Sequence, residues 1–206
     1  MKILAIILAI IALGGLFTAH YLYDANKEAR ARIEQLEKTV SEISDEKDKE
    51  IGQIKNTYDE LVTDMQKEIE QGQVKITQAT GRLSVSLIDK ILFPSGEANI
   101  TPEGVQVLKR VGQVIKEAQG QTIRVEGHTD NVPIHFRLRY QFPTNWELST
   151  SRATHVVRFF QEQIGIDGKR LQAIGMSEYH PVASNDTPVG RSQNRRIEIA
   201  LLPDAP

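Results

Sequence analysis

The sequence predicts an α/β fold: a small two-layer β-α-β-α-β-β sandwich with a mixed sheet, preceded by a transmembrane helix and a long coiled-coil helix. Three observations predict this organisation. The chain starts with an almost wholly apolar segment, continues with charged residues at helical spacing, and ends with short apolar strands that alternate with amphipathic helices. We therefore divide it into an N-terminal anchor at 1–23, a helical spacer at 24–79 and a globular domain at 80–206.

The first segment is an apolar run from residue 3 to residue 19, with no acid or base between Lys2 and Asp24. A signal peptide has an apolar run of roughly 7 to 15 residues, whereas a membrane span needs about 17 or more. Cleavage after Ala19 would place the bulky Phe17 where a signal peptidase requires a small residue. The segment therefore predicts a retained single-pass inner-membrane anchor with the remainder in the periplasm. The alternative is a cleaved signal, with the protein in the periplasm or at the outer membrane.

The second segment predicts one long helix from residue 24 to about residue 73. Apolar residues recur at the 3, 4, 3 spacing of a coiled coil in two runs, namely Ile33, Leu36, Val40 and Ile43, then Ile51, Ile54, Tyr58, Leu61 and Met65. These runs predict a parallel homodimer, and a helix of this length would span roughly 75 Å. The alternative is a solvated single helix stabilised by charge pairs four residues apart.

The charge and cysteine content exclude several functions. The 206 residues carry 25 basic and 27 acidic side chains and no cysteine. Nucleic acid is not an expected partner, because neither half of the chain supplies a strongly basic surface. Without cysteine there is no disulfide, thiolate zinc site or catalytic thiol.

The third segment predicts the elements of the globular domain. Alternating apolar residues from Arg82 to Ile88 form a strand, and Thr101 with Pro102 caps a helix that ends at Gly120. The remaining predicted elements are a strand at 122–125, a helix at 146–163, a strand at 171–174 and a last strand at 196–202. Their order is that of a small mixed sandwich.

Five motifs punctuate these elements. They are Val125 to Asn131 (VEGHTDN), Asn145 to Ala153 (NWELSTSRA), Gly175 to Glu178 (GMSE), Pro181 to Asp186 (PVASND) and Gly190 to Glu198 (GRSQNRRIE). This succession closely resembles the OmpA-like peptidoglycan-binding domain over residues 82–202. The long segment from Asn131 to Thr144 is similar to the MotB-like branch of that family.

The resemblance implies non-covalent binding of peptidoglycan at the free amino acid centre of diaminopimelate in its stem peptide. Asp130 and Arg152 occupy the family positions that bind the ammonium and the carboxylate of such a centre. By family position, Thr129 and Asn145 add polar contacts, and Gly96 offers only its backbone. No cofactor is expected. An Asp and an Arg at neighbouring element ends are also typical of a structural ion pair.

Two other functions are weaker alternatives. A MotB-type stator subunit of the flagellar motor has a similar organisation, but its span carries a proton-accepting Asp, and residues 3–19 contain no acid. An enzyme would need Ser149, His155 and Asp130 to act together, yet His155 follows a helical pattern and no nucleophile motif is present. We therefore predict a binding protein and no enzymatic activity.

Some of the remaining polar residues are interpreted as structural. His128 could be a metal ligand, but no second ligand stands at suitable sequence spacing, which favours a histidine satisfied within a turn. Arg191, Arg195 and Arg196 are interpreted as side chains that hold the last strand and its preceding loop.

Overall fold

The computed structural model describes residues 2–79, 82–118 and 120–203. The helices are α1 (Lys2–Asp64), α2 (Gln66–Glu70), α3 (Asp89–Leu92), α4 (Pro102–Glu117), α5 (Asn145–Phe159) and α6 (Pro188–Asn194). The strands are β1 (Val74–Ala79), β2 (Arg82–Ile88), β3 (Gln121–His128), β4 (Leu171–Gly175) and β5 (Arg196–Pro203). A π-helical turn, Phe160–Ile164, follows α5, and short 3-10 turns lie at Phe136–Leu138 and Gly168–Arg170.

The five strands form one mixed sheet in the order β1-β2-β5-β3-β4. Only β3 and β4 are parallel, and the other neighbours are antiparallel. The predicted mixed α/β sandwich is therefore confirmed in outline. It has one strand more than predicted, β1, and a short helix, α6, before the last strand.

The strand β1 lies where the sequence predicts only spacer. The long helix ends at Asp64, and α2 leads to Gly72, whose φ of +68° reverses the chain. Val74 and Ile76 then pair with the inward-facing positions of β2. Val74 and Ile76 alternate with polar residues, which is typical of a strand. The strand was not predicted because the charged residues before it follow a helical pattern.

The chain divides into two compact units, Met1–Lys49 and Glu50–Pro206. In the second unit the side chains of Ile54, Leu61 and Met65 are buried in the hydrophobic core of the domain. Apart from the exposed Ile51, the second apolar run is therefore covered by the chain's own domain, and its prediction as a coiled-coil surface is wrong. The compact unit that contains the domain begins at Glu50, and the predicted domain begins at residue 80.

In the first unit, the apolar run from Ile33 to Ile43 is exposed on a regular helix. Its members Ile33, Leu36, Val40 and Ile43 are each at least 49% exposed. This stripe is available to another helix, and the chain itself leaves it uncovered.

Across the described residues, no helix combines the length and the apolar character that crossing a bilayer requires. The transmembrane helix predicted within residues 1–23 is therefore not supported by the structure.

The helices α4 and α5 pack against the sheet around one core. The cap of α4 is as predicted, because the Thr101 hydroxyl accepts a hydrogen bond from the Gly104 amide at 2.9 Å and donates one to the Ile91 carbonyl at 2.7 Å. The buried core side chains of the sheet are Val74, Leu83, Val85, Leu87, Ile123, Val125, Ile197, Ile199 and Leu201. This packing fixes the strand ends and the start of α5, where the candidate site lies.

The first two members of the second apolar run provide a direct test of this packing. We expect Ile54→Val to lower the free energy of unfolding by about 1 kcal/mol, because Ile54 is 1% exposed and the change leaves a small cavity. Ile51→Val is the matched control, with an expected loss below about 0.5 kcal/mol, since Ile51 is 55% exposed. Urea unfolding of the two variants measures the difference, and equal losses would contradict the assignment of Ile54 to the core.

Candidate functional site

Asp130 lies two residues beyond the end of β3 and is almost fully buried. One carboxylate oxygen, Oδ1, accepts a hydrogen bond from the Val132 amide at 3.1 Å. The other, Oδ2, forms an ion pair with Nη1 of Arg195, the residue immediately before β5. Arg195 was interpreted as purely structural from the sequence, and the structure instead brings it to the predicted ligand-binding aspartate.

Arg152, on the second turn of α5, is 3% exposed. Its Nη1 lies 2.8 Å from Oδ1 of Asp89, and its Nε donates to the Glu97 carbonyl at 2.8 Å. The guanidinium also lies over the ring of Phe93, 5.0 Å from the centroid. Among the described residues, no hydrogen bond is formed by its Nη2.

These two ion pairs form one group, which we call the charge cluster: Asp89, Asp130, Arg152 and Arg195. Asp89 and Arg152 each feel the charges of the other three members. Burial raises the pKa of the Asp89 carboxyl from 3.8 to about 6, and the two arginines oppose the shift only in part. Asp89 is not among the predicted site residues. In the sequence it stands out only as an acidic residue between the apolar residues of β2 and those of α3.

The titration of Asp89 predicts a pH-dependent stability. Its folded pKa lies above its unfolded value, so its contribution is complete below about pH 3.8 and is lost as the pH rises through about 6. We expect the wild type to gain stability relative to Asp89→Asn when the pH is lowered from 7.5 to 4.5. Urea unfolding of both proteins at the two pH values measures this gain. A difference between them that is independent of pH would contradict the assignment.

Asn145 is the first residue of α5, one position before the predicted start of this helix, and it is not the helix cap. The cap is Thr144, whose hydroxyl accepts a hydrogen bond from the Trp146 amide. The Glu147 carboxylate accepts a hydrogen bond from the Thr144 amide, which completes a capping box. Asn145 is the first helical residue, and its side-chain amide donates to the Asp130 carbonyl at 3.4 Å and to Glu178 Oε2 at 2.6 Å. It therefore joins the loop after β3 to the loop after β4.

Thr129 and Gly96 contribute in different ways. The Thr129 hydroxyl is buried and has no hydrogen-bond partner among the described residues, which leaves it available to a ligand. Gly96 has φ of +75° in the turn between Pro94 and Glu97, and a Cβ there would lie 2.4 Å from Cδ1 of Leu138. Glycine is favoured here by the left-handed backbone conformation, whereas the Leu138 side chain could move away from an added Cβ.

The long segment from Asn131 to Thr144 forms a wall beside the cluster. Phe142 packs with Ala98 and Leu148 in a small apolar cluster separate from the main core. This contact ties the segment to the loop after α3 and to α5.

His128 differs from its sequence interpretation. It is buried at the end of β3, and neither ring nitrogen forms a hydrogen bond with a described residue. Ligand atoms of Glu126, His128 and Glu198 lie within 4.8 Å of one another, because β3 and β5 place the two glutamates opposite each other. Sequence spacing could not reveal Glu198, which comes from another strand.

This group already contains its own counter-charges. Arg82 and Arg124 lie within 4 Å of Glu126, and Arg196 lies 3.5 Å from Glu198. The nearby His128 ring, the largest cause, and the two arginines lower the pKa of Glu126 below its usual value, although burial of the carboxylate acts in the opposite direction. We therefore interpret the group as a structural ion network.

The side chains considered for an enzyme are engaged elsewhere. The Ser149 hydroxyl donates to the Trp146 carbonyl at 3.1 Å and accepts from the Ser177 amide, while Nδ1 of His155 faces the Ala98 carbonyl. The structure does not bring them to Asp130 as a nucleophile and its base.

Comparison with known proteins gives consistent matches. A family model described as the OmpA family matches residues 92–195. Motility protein B of Bacillus subtilis (strain 168) is 35% identical over 154 residues, covering 75% of this chain and 57% of that protein. The chain spans about half the length of the first curated relatives it matches.

Two solved structures share the fold. A putative MotB-like protein from Desulfovibrio vulgaris has a TM-score of 0.68 at 28% identity, covering 77% of this chain and 96% of that one. The cell wall anchor of the T6SS from Pseudomonas aeruginosa has a TM-score of 0.62 at 32% identity, covering 70% and 97%.

Proposed function

The chain belongs to the OmpA family, and we propose that its C-terminal domain binds cell-wall peptidoglycan non-covalently through the charge cluster. The solved wall anchor to which the chain is similar supports a wall ligand. The ligand group is the free amino acid centre of diaminopimelate in the stem peptide, which carries one ammonium and one carboxylate.

The observation that carries this proposal is a cluster in which the buried Arg152 lies near Asp130, an aspartate whose own partner, Arg195, is partly exposed. Arg195 is 38% exposed, so its guanidinium can turn into solvent and leave Asp130 to a ligand cation. The ligand ammonium replaces Arg195 beside Asp130, and the Thr129 hydroxyl offers a further acceptor. The ligand carboxylate binds Arg152 through Nη2, in the charge-assisted geometry that guanidinium groups favour.

A competition experiment tests this assignment. The full chain should sediment with purified sacculi, and free diaminopimelate should release it. Pimelate is the matched control, because it keeps the two carboxylates and the carbon chain but has no ammonium group, and it should release no protein. Release by both compounds to the same extent would show that the cluster recognises carboxylates alone.

We further propose that two chains associate through the exposed apolar run from Ile33 to Ile43. The run has coiled-coil spacing and lacks a cover within the chain, and a parallel pair would bury it. Leu36→Lys should give a monomer in sedimentation equilibrium where the wild type gives a dimer. Val132→Lys is the control, since Val132 is similarly exposed but lies in the globular domain. A monomeric wild type would contradict the proposal.

Tethering of a membrane to the wall requires a membrane attachment. The sequence offers the apolar run of residues 3–19 for this role, and the proposal rests on that run alone. We expect the protein to remain in the inner-membrane fraction after alkaline carbonate extraction. Recovery as a shortened periplasmic or outer-membrane protein would identify the run as a cleaved signal.

A stator subunit is the second candidate, and the similarity to Motility protein B favours it. Residues 3–19 carry no acidic side chain for a translocated proton. We therefore expect this chain not to restore swimming to a motile bacterium that lacks its own MotB subunit. Restored swimming would favour the stator function over a passive tether.

A further inference from the structure

An exposed aromatic pair lies directly beside the charge cluster. The rings of Trp146 and Tyr179 are 46% and 64% exposed, with centroids 5.6 Å apart and planes inclined by 31°. Trp146 directly follows Asn145 in the sequence, and Tyr179 directly follows Glu178. The hydrogen bond between Asn145 and Glu178 therefore holds the start of α5 and the loop after β4 together. The pair is therefore held in position next to Asp130, whose carbonyl accepts from Asn145.

Trp146 also lines an open groove of about 450 Å³. The lining residues are Gln141, Phe142, Trp146, Glu147, Thr150 and Ser151. Amide, carboxylate and hydroxyl groups thus surround one exposed indole, and the volume is in the range of small-ligand sites. None of the lining residues is basic, which disfavours phosphate and other anions as occupants.

These features match the chemistry of a neutral sugar ring. A pyranose presents C–H groups on its faces, which pack on an aromatic ring, and hydroxyl and amide groups at its edge, which hydrogen-bond to side chains such as Gln141 and Thr150. The stem peptide is itself attached to a glycan strand, so a peptide bound at the charge cluster brings sugar rings close to the cluster.

We propose that the groove beside Trp146 is a saccharide subsite that binds a sugar ring of the glycan strand whose stem peptide occupies the charge cluster. The inference rests on the proposed function and extends it: the domain recognises the junction of sugar and peptide. The aromatic pair supplies the stacking surface, and the polar lining selects a hydroxylated, uncharged ring.

The test compares two soluble ligands on the full chain: a disaccharide with its diaminopimelate-containing stem peptide, and the same peptide without sugars. The wild type should bind the first about tenfold more tightly, as expected for about 1.4 kcal/mol of added contact. Trp146→Ala should bind both equally, with the wild-type affinity for the free peptide, and Trp146→Phe should keep part of the preference. Phe136→Ala is the control, because Phe136 is an exposed aromatic outside the groove lining.

The same experiment separates the two proposals. Wild-type binding of both ligands with equal affinity, or a preference that survives Trp146→Ala, overturns the saccharide subsite and leaves peptide recognition intact. Failure of the wild type to bind the free peptide overturns the proposed function instead. Trp146 is the only tryptophan of the chain, so its fluorescence should shift with the disaccharide peptide and not with the free peptide. A change of oligomeric state in Trp146→Ala would identify the face as a protein contact and overturn the subsite.

Discussion

Replacing Asp130 with Asn is expected to weaken retention on purified sacculi by about 10 to 100 fold, the loss of one charge-assisted hydrogen bond worth about 1.5–3 kcal/mol. The Asn side chain keeps the shape and can still accept the Val132 amide bond, so only the charge that attracts the ligand ammonium is removed. Arg195 loses its partner at little cost because it is partly exposed. Quantitative pull-down and circular dichroism measure binding and folding separately.

The chain provides a matched control for this change. Asp167 is exposed, and its Oδ1 accepts the amide of the residue two positions on, Lys169, as Asp130 does with Val132. Asp167→Asn therefore makes the same chemical change in the same local geometry and should leave retention unaltered. Full retention of a folded Asp130→Asn protein would remove Asp130 from the site.

The second large effect is expected on stability. Arg152→Ala should lower the free energy of unfolding by about 3–5 kcal/mol, because it leaves the Asp89 carboxylate buried without its closest counter-charge. The variant also loses the bond to the Glu97 carbonyl and the contact with Phe93. Denaturant unfolding at pH 7.5 measures the loss.

A double mutant identifies the cause of that loss. In the Arg152→Ala background, Asp89→Asn removes the unpaired charge and should recover part of the stability, so the two changes should not be additive. Strict additivity would mean that the arginine stabilises the domain by packing alone. For the same reason, Arg152 variants must be tested for folding before a loss of wall binding is attributed to the ligand contact.

The sequence predicted the sheet and the helices of the domain well, because their signals are local. Thr101 and Pro102 mark the start of α4, and the alternation from Arg82 to Ile88 is that of β2. The run from Ile51 to Met65 shows the limit of such signals. Its spacing indicates that one face of the helix is buried. The spacing is the same whether a second helix or the chain's own sheet covers that face.

The site was predicted only in part, for a similar reason. Asp130 and Arg152 are close enough to feel each other's charge, as the family resemblance implies, but neither is the other's direct partner. Their partners Arg195 and Asp89 lie more than 60 residues away along the chain, and no spacing rule connects them. Burial, which gives Asp89 its raised pKa, is likewise a property of the assembled fold.

The central position of β5 has a consequence for the synthesis of the protein. As the chain grows from its N-terminus, β1 and β2 on one side and β3 and β4 on the other cannot join until β5 pairs between β2 and β3. Such long-range pairing makes folding a late and cooperative event. Because Arg195 directly precedes β5, the charge cluster is completed at the same moment. Under the proposed function, an unfinished chain lacks the assembled site, so only complete molecules compete for positions on the wall.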